Sequence, residues 1–133
     1  MAVSRGFQDF ILDLLCPLDP VSRRMFGGVR LFHGGVMFGL LVRDMLYLRV
    51  DETTREQFER AGSSPFTYQR GEREVSLSAY YVVPEGLLDQ PDALLQWTRN
   101  AIAAARRSAA RARPATSRSG VRQYRRTRNA DSG

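Results

Sequence analysis

The chain has 133 residues, with twenty arginines, no lysine, fourteen acids, one histidine and a formal net charge of +6. That length makes one domain rather than two, and no stretch approaches the roughly 18–20 consecutive apolar residues that a membrane helix requires. A single cysteine excludes an internal disulfide, and with one histidine it leaves a protein-only zinc site short of ligands.

Phe7, Phe10, Ile11, Leu14 and Leu15 recur at helical spacing and predict an amphipathic first helix, capped by Ser4 and ended by Pro17. The start carries no apolar signal core, so a cytoplasmic protein is expected. Leu18 to Arg24 reads as a linker around Pro20. The pairs Gly27-Gly28 and Gly34-Gly35 then bracket Val29-Arg30-Leu31-Phe32, a short strand. Val36 to Val42 and Met45 to Val50 are apolar runs separated by Arg43-Asp44, and they predict a hairpin. Arg-Asp is not a favoured type I′ pair, so a longer turn that borrows flanking residues stays open beside the two-residue one.

Asp51 to Ala61 reads as a second helix, with Thr53 and Glu56 as a capping box and Gly62 as the left-handed stop. Its apolar face, Phe58 and Ala61, is thin, which places it at the edge of the core. Phe66 to Gln69 and Glu74 to Val82 predict two strands joined by Arg70-Gly71-Glu72. In the second, Val75, Leu77, Ala79 and Tyr81 alternate with Ser76, Ser78 and Tyr80. That period implies one buried and one wet face, with Tyr80 opposite Leu77 and Tyr81. The last helix opens at Asp89 or Gln90, takes Pro91 in its first position and carries Leu94, Leu95, Trp97, Ala101, Ile102 and Ala105 on one stripe. It can run to Arg113 before Pro114 halts it, with packing that weakens past Ile102.

These elements run α-β-β-β-α-β-β-α and predict an α+β two-layer sandwich, an antiparallel sheet of about five strands with flanking helices. Residues 1–105 form the domain. Residues 114–133 form an arginine-rich tail, too poor in apolar residues to order. Arg106 to Gly133 holds nine arginines and one acid, whereas the preceding residues hold eleven arginines and thirteen acids. The pattern is a nearly neutral globule with a cationic appendage.

Arg24-Met25-Phe26-Gly27-Gly28-Val29, Gly35-Val36-Met37-Phe38 and Leu46-Tyr47-Leu48-Arg49-Val50-Asp51 follow one another in a recognisable order. Gly62-Ser63-Ser64-Pro65-Phe66-Thr67-Tyr68 and Tyr80-Tyr81-Val82-Val83-Pro84 continue it. From about Val21 to Ala105 the chain resembles the N-terminal domain of the TfoX/Sxy family. The resemblance implies a small bacterial α+β domain of the kind found in regulators of natural competence, which are thought to assist a cyclic-AMP-responsive transcription factor. Those regulators add a C-terminal helical domain, so the expectation here is a stand-alone form with a basic tail in its place. The resemblance carries no catalytic residues.

The glycine pairs fit neither the dinucleotide fingerprint nor the P-loop and read as strand-to-strand turns. His33 has no second imidazole or nucleophile motif beside it and reads as a solvated turn residue. Cys16 reads as a buried or half-buried small apolar residue. Asp51, Glu52, Glu56 and Glu59 are interleaved with Arg55 and Arg60, and read as a solvated charged face. No catalytic, cofactor-binding or metal site is assigned, and a non-enzymatic regulatory module acting through protein contacts is expected. Free sheet edges and strand tyrosines allow a homodimer. The alternative is weak, sequence-independent nucleic-acid binding by Arg118, Arg122, Arg125, Arg126 and Arg128 around the stacking ring of Tyr124.

Overall fold

Ser4 starts the first helix as its sequence position suggests: its Oγ accepts the Phe7 amide at 3.1 Å. In the computed structural model, which describes residues 3–25 and 27–112, this helix is α1 (Arg5–Leu15). A 3₁₀ turn at Cys16–Leu18 follows, which Pro17 can enter because its missing amide is not needed there. Cys16 is exposed, not half-buried, because the turn carries it off the inner face of α1.

Four strands come next: β1 (Val21–Met25), β2 (Gly28–His33), β3 (Val36–Val42) and β4 (Met45–Arg49). The helix α2 (Arg55–Arg60), the strands β5 (Pro65–Arg70) and β6 (Arg73–Val82), and the long helix α3 (Pro91–Ala112) complete the described chain. The sheet is antiparallel and six-stranded, in the order β1-β2-β3-β4-β6-β5. The fold class is the expected α+β, with one more strand than the five predicted.

The additional strand is β1, in the segment read as a linker. Val21-Ser22-Arg23-Arg24-Met25 shows no buried alternation, since it is an edge strand held mainly by its backbone ladder to β2. Its arginines suit that place, because charged side chains keep an edge from pairing further. The glycine pairs lie at the β1–β2 and β2–β3 connections, as the sequence suggested.

One sheet face packs against the helices. Ile11 and Leu15 of α1, Leu94 and Ile102 of α3 and Phe58 of α2 meet Leu31, Phe38, Leu41 and Leu48 of the strands. Along α3, packing weakens after Ala105, where Ser108 and Ala109 are half-buried and Ala110 is exposed. Among the described residues, no helix is long and apolar enough to cross a membrane.

The helix α2 is half the expected length. The Thr53–Glu56 capping box does not form, because Asp51 takes over the start. Its Oδ1 accepts from the Thr53 amide, the Thr53 hydroxyl and the Thr54 amide, at 3.0, 2.7 and 3.2 Å. The C-terminal stop is as expected. Gly62, at φ +83°, lets its own amide reach Glu59 O and the Ser63 amide reach Phe58 O, the paired bonds of a Schellman ending.

The β3–β4 turn is the tight one. Arg43 and Asp44 both have positive φ, 51° and 56°, which is the two-residue type I′ geometry despite its unfavoured residues. Asp44 offsets that strain by accepting the Ser4 amide at 2.9 Å and the Ser4 hydroxyl at 3.2 Å, which ties the hairpin to the start of α1. Asp44→Ala should therefore destabilise the protein by about 1–2 kcal/mol. Arg43→Asn, which tolerates the left-handed conformation, should stabilise it by several tenths of a kcal/mol. Urea unfolding of the two variants checks both signs.

Candidate functional site

No described helix covers the second face of the sheet, and that face is not polar. Leu40 and Val42 of β3, Tyr47 of β4, Phe66 of β5 and Tyr80 of β6 form a separate buried cluster, with Met37, Tyr68 and Val82 packed around it. Tyr47 meets Phe66 edge-on at 5.0 Å, and Phe66 stacks on Tyr68 at 5.9 Å. Above this floor lies a hollow of about 380 Å³, with Met25 and Leu77 on its walls at 41% and 40% exposure.

Bulges shape the hollow. Six flat strands would span roughly 24 Å, too wide for Met25 of β1 and Tyr68 of β5 to line one cavity unless the sheet curls. Pairing slips at Phe38, since Leu31 faces Gly39 but Phe32 faces Met37. It slips again in β6, since Pro65 faces Tyr81 but Phe66 faces Leu77. Each slip bends its strand and increases the local twist. The second also alters the predicted parity. Tyr80 and Tyr81 do lie in opposite layers, but Leu77 shares the hollow with Tyr80 because three residues bulge between Leu77 and Tyr81.

The charge on this face has one sign. The six strands contain six arginines and a single acid, Glu74. Arg24 turns to the helical side and donates to Val3 O at 3.0 Å. Arg30 lines the hollow, and Arg23, directly opposite it in the ladder, shares its face. Towards the tip of the β5–β6 hairpin Arg70 stands opposite Arg73; Arg70 follows Tyr68 by two, so the pair shares this sheet face, where with Val75 it lines a separate small hollow beside the groove. Arg49 places its guanidinium 5.5 Å from the Tyr80 ring centre, and its buried Nε has no hydrogen-bond partner among the described residues. The ion pairs formed among the described residues, Arg60–Glu56 and Arg107–Asp51, use none of these six arginines.

The residues singled out in the sequence do not converge. His33 accepts a hydrogen bond on Nδ1 from Arg106 Nη2, 2.6 Å away, so it is tied to α3 rather than merely solvated. Among the described residues, no group of three or more His, Cys, Asp or Glu side chains is placed to hold a metal. Tyr81 sits in the helical layer, where its hydroxyl donates to Glu59 at 2.8 Å; burial, reinforced by that carboxylate, raises its pKa. Arg118, Arg122, Tyr124, Arg125, Arg126 and Arg128 lie outside the described residues.

Asp51 overturns the reading of the acidic cluster as a solvated face. It is 6% exposed and accepts from Arg107 Nε at 2.7 Å, while Arg107 Nη2 also donates to Thr53. The Arg107 hydrogen bond, with the Thr53 donors, holds the carboxyl well below the usual aspartate range against the opposing pull of burial. Arg107, assigned to the tail by charge counting, is therefore a fastener of α3 to the β4–α2 corner. A larger cleft of about 650 Å³ lies between α1, the β3–β4 turn and the segment before α3, and is lined by Phe10, Met45, Asp44, Glu85 and Asp89. Its rim mixes the carboxylates Asp44, Glu85 and Asp89 with Phe10 and Met45, whereas the sheet-face hollow sits on a buried apolar cluster with arginine on its lining.

The strand arginines were the sequence signal for this face. Counted by segment rather than by domain, they show that the neutral body is internally segregated. The hollow's apolar residues were legible only as strand core.

A sequence model described as the TfoX N-terminal domain matches residues 13–105. No curated protein matches the chain.

Because the Asp51 carboxyl is acidified by folding, its contribution is fully present above the unfolded value near pH 4 and is lost as the pH falls below it. Asp51→Ala should cost about 2–4 kcal/mol at neutral pH. The gap between variant and wild type, followed by urea unfolding, should narrow steadily below about pH 4.

Proposed function

The chain belongs to the TfoX N-terminal domain family, and on that basis we propose that it is a cytoplasmic, non-enzymatic regulatory module that works by binding a protein in the groove of its open sheet face. The observation that carries this reading is the apolar hollow beneath Met25, Met37, Leu40, Phe66, Leu77 and Tyr80, left uncovered by any described element. A concave apolar hollow with exposed Met25 and Leu77 at its mouth and arginine on its rim has the make-up of an interaction site. Competence-type regulation fits a domain that offers shape and charge to a partner rather than reactive groups.

A second reading rests on the sequence beyond the described residues. There Arg118, Arg122, Arg125, Arg126 and Arg128 surround Tyr124, a composition that pairs with phosphates without reading bases. If about five of them contact phosphate, log K should fall against log salt with a slope of roughly −4 to −5, and removal of 114–133 should abolish it.

Affinity capture from the source cell after nuclease treatment separates the two. Leu77→Asp changes an exposed side chain, so the variant should fold like wild type while losing its captured proteins. Removal of 114–133 should leave those proteins bound. Retention by Leu77→Asp together with loss on truncation would reverse the assignment in favour of the tail.

A further inference from the structure

The groove has an apolar floor, and on the same sheet face each outer hairpin beside it carries a like-charged pair. Arg23 faces Arg30 across β1–β2, and Arg70 faces Arg73 across β5–β6. Like charges directly opposite in an antiparallel ladder destabilise it. Here the arrangement occurs on the hairpin at each edge of one sheet face, with Arg49 over the Tyr80 ring as a fifth cation and no carboxylate bonded to any of them among the described residues. An incoming anion would relieve that repulsion at each hairpin.

Resting on the protein-binding reading above, we propose that the groove takes an amphipathic α-helix of a partner protein whose apolar stripe is flanked on both sides by Asp and Glu. The stripe fills the hollow over Phe66 and Tyr80, and the acidic flanks meet Arg23 with Arg30 on the β1–β2 side and reach Arg70 with Arg73 on the β5–β6 hairpin. A helix with side chains is about 10–12 Å across and suits a trough between curled strands. An extended segment would instead need free backbone groups, which this face does not offer because its strands are paired with one another.

Other occupants fit less well. Single-stranded nucleic acid needs open rings for stacking, but Tyr47, Phe66 and Tyr80 are buried as the floor. The chain's own arginine-rich end carries the same sign as these arginines. A second copy could offer α1, whose exposed Phe10 lies beside Asp9 and Asp13, but Ile11 and Leu15 of that helix are buried in their own core. That leaves it one anchor where a groove-binding helix needs three or four.

Arg30→Glu is an informative variant, because it places opposite charges at the Arg23 position of the ladder. It should raise the unfolding temperature while weakening binding, a pairing of effects that a purely structural arginine would not give. The probe is a fluorescein-labelled amphipathic peptide of about 18 residues with a leucine stripe and glutamates along both flanks, titrated by anisotropy into the full chain. Binding should weaken at least tenfold in Arg30→Glu and in Arg73→Glu, should be lost in Leu77→Asp, and should fall with added salt. Equal binding of the same peptide with glutamine for glutamate would overturn the acidic partner and leave the groove reading standing. Failure of every leucine-striped peptide would overturn both. Glutamate-peptide binding unchanged in all three variants would locate it on the basic end and overturn the proposal. So would an oligo-dT strand that binds the groove in the peptide's place, or sedimentation showing self-association that Asp13→Arg abolishes.

Discussion

A six-stranded sheet has two faces, and the three described helices of this chain pack on only one of them. Everything distinctive about the molecule follows from that imbalance. Antiparallel strands with one solvated face ordinarily alternate apolar and polar residues cleanly. Here the central outward positions Leu40, Val42, Tyr47, Phe66 and Tyr80 are aliphatic or aromatic, and the sheet curls until they bury one another. The bulges in β3 and β6 supply the bend, so the uncovered face becomes a trough rather than a flat apolar plane.

The same face concentrates positive charge, and edge protection accounts for the arginines of β1 and β5 but not for Arg30 or Arg49 of inner strands. A body of eleven arginines and thirteen acids would look balanced to any overall count. By element it is polarised, since the acids sit almost wholly on helices and connections while the strands carry arginine. The helical side neutralises its own ions locally, through Arg107 with Asp51 and Arg60 with Glu56. The sheet side leaves its cations available to something else.

Elements with strong periodicity were readable from the sequence. The stripe of α1, the two β3–β4 runs and the Leu94–Ala105 face of α3 all appear where spacing placed them, because burial against the sheet imposed that spacing. β1 was not readable, since an edge strand without a buried face leaves no period in its side chains. The start of α2 was misread because two local motifs competed, and the buried Asp51 outbid the capping box for the Thr53 hydroxyl. The groove was legible only in part. Its residues announced themselves as strand core, but the bulges that put Leu77 beside Tyr80 arise from tertiary register, which no local pattern encodes. The engagement of Arg106 and Arg107 likewise depends on partners 73 and 56 positions away in the chain.

The contact between Asp44 and Ser4 spans 40 positions and joins two features that would each be weak alone, a hairpin turn with unfavoured residues and the first turn of a helix. Each one's nucleation cost is met by the other's arrival. Neither feature is therefore expected to hold its order without the other. A growing chain would hold α1 only as a fluctuating segment until the β3–β4 corner has been synthesised and closed.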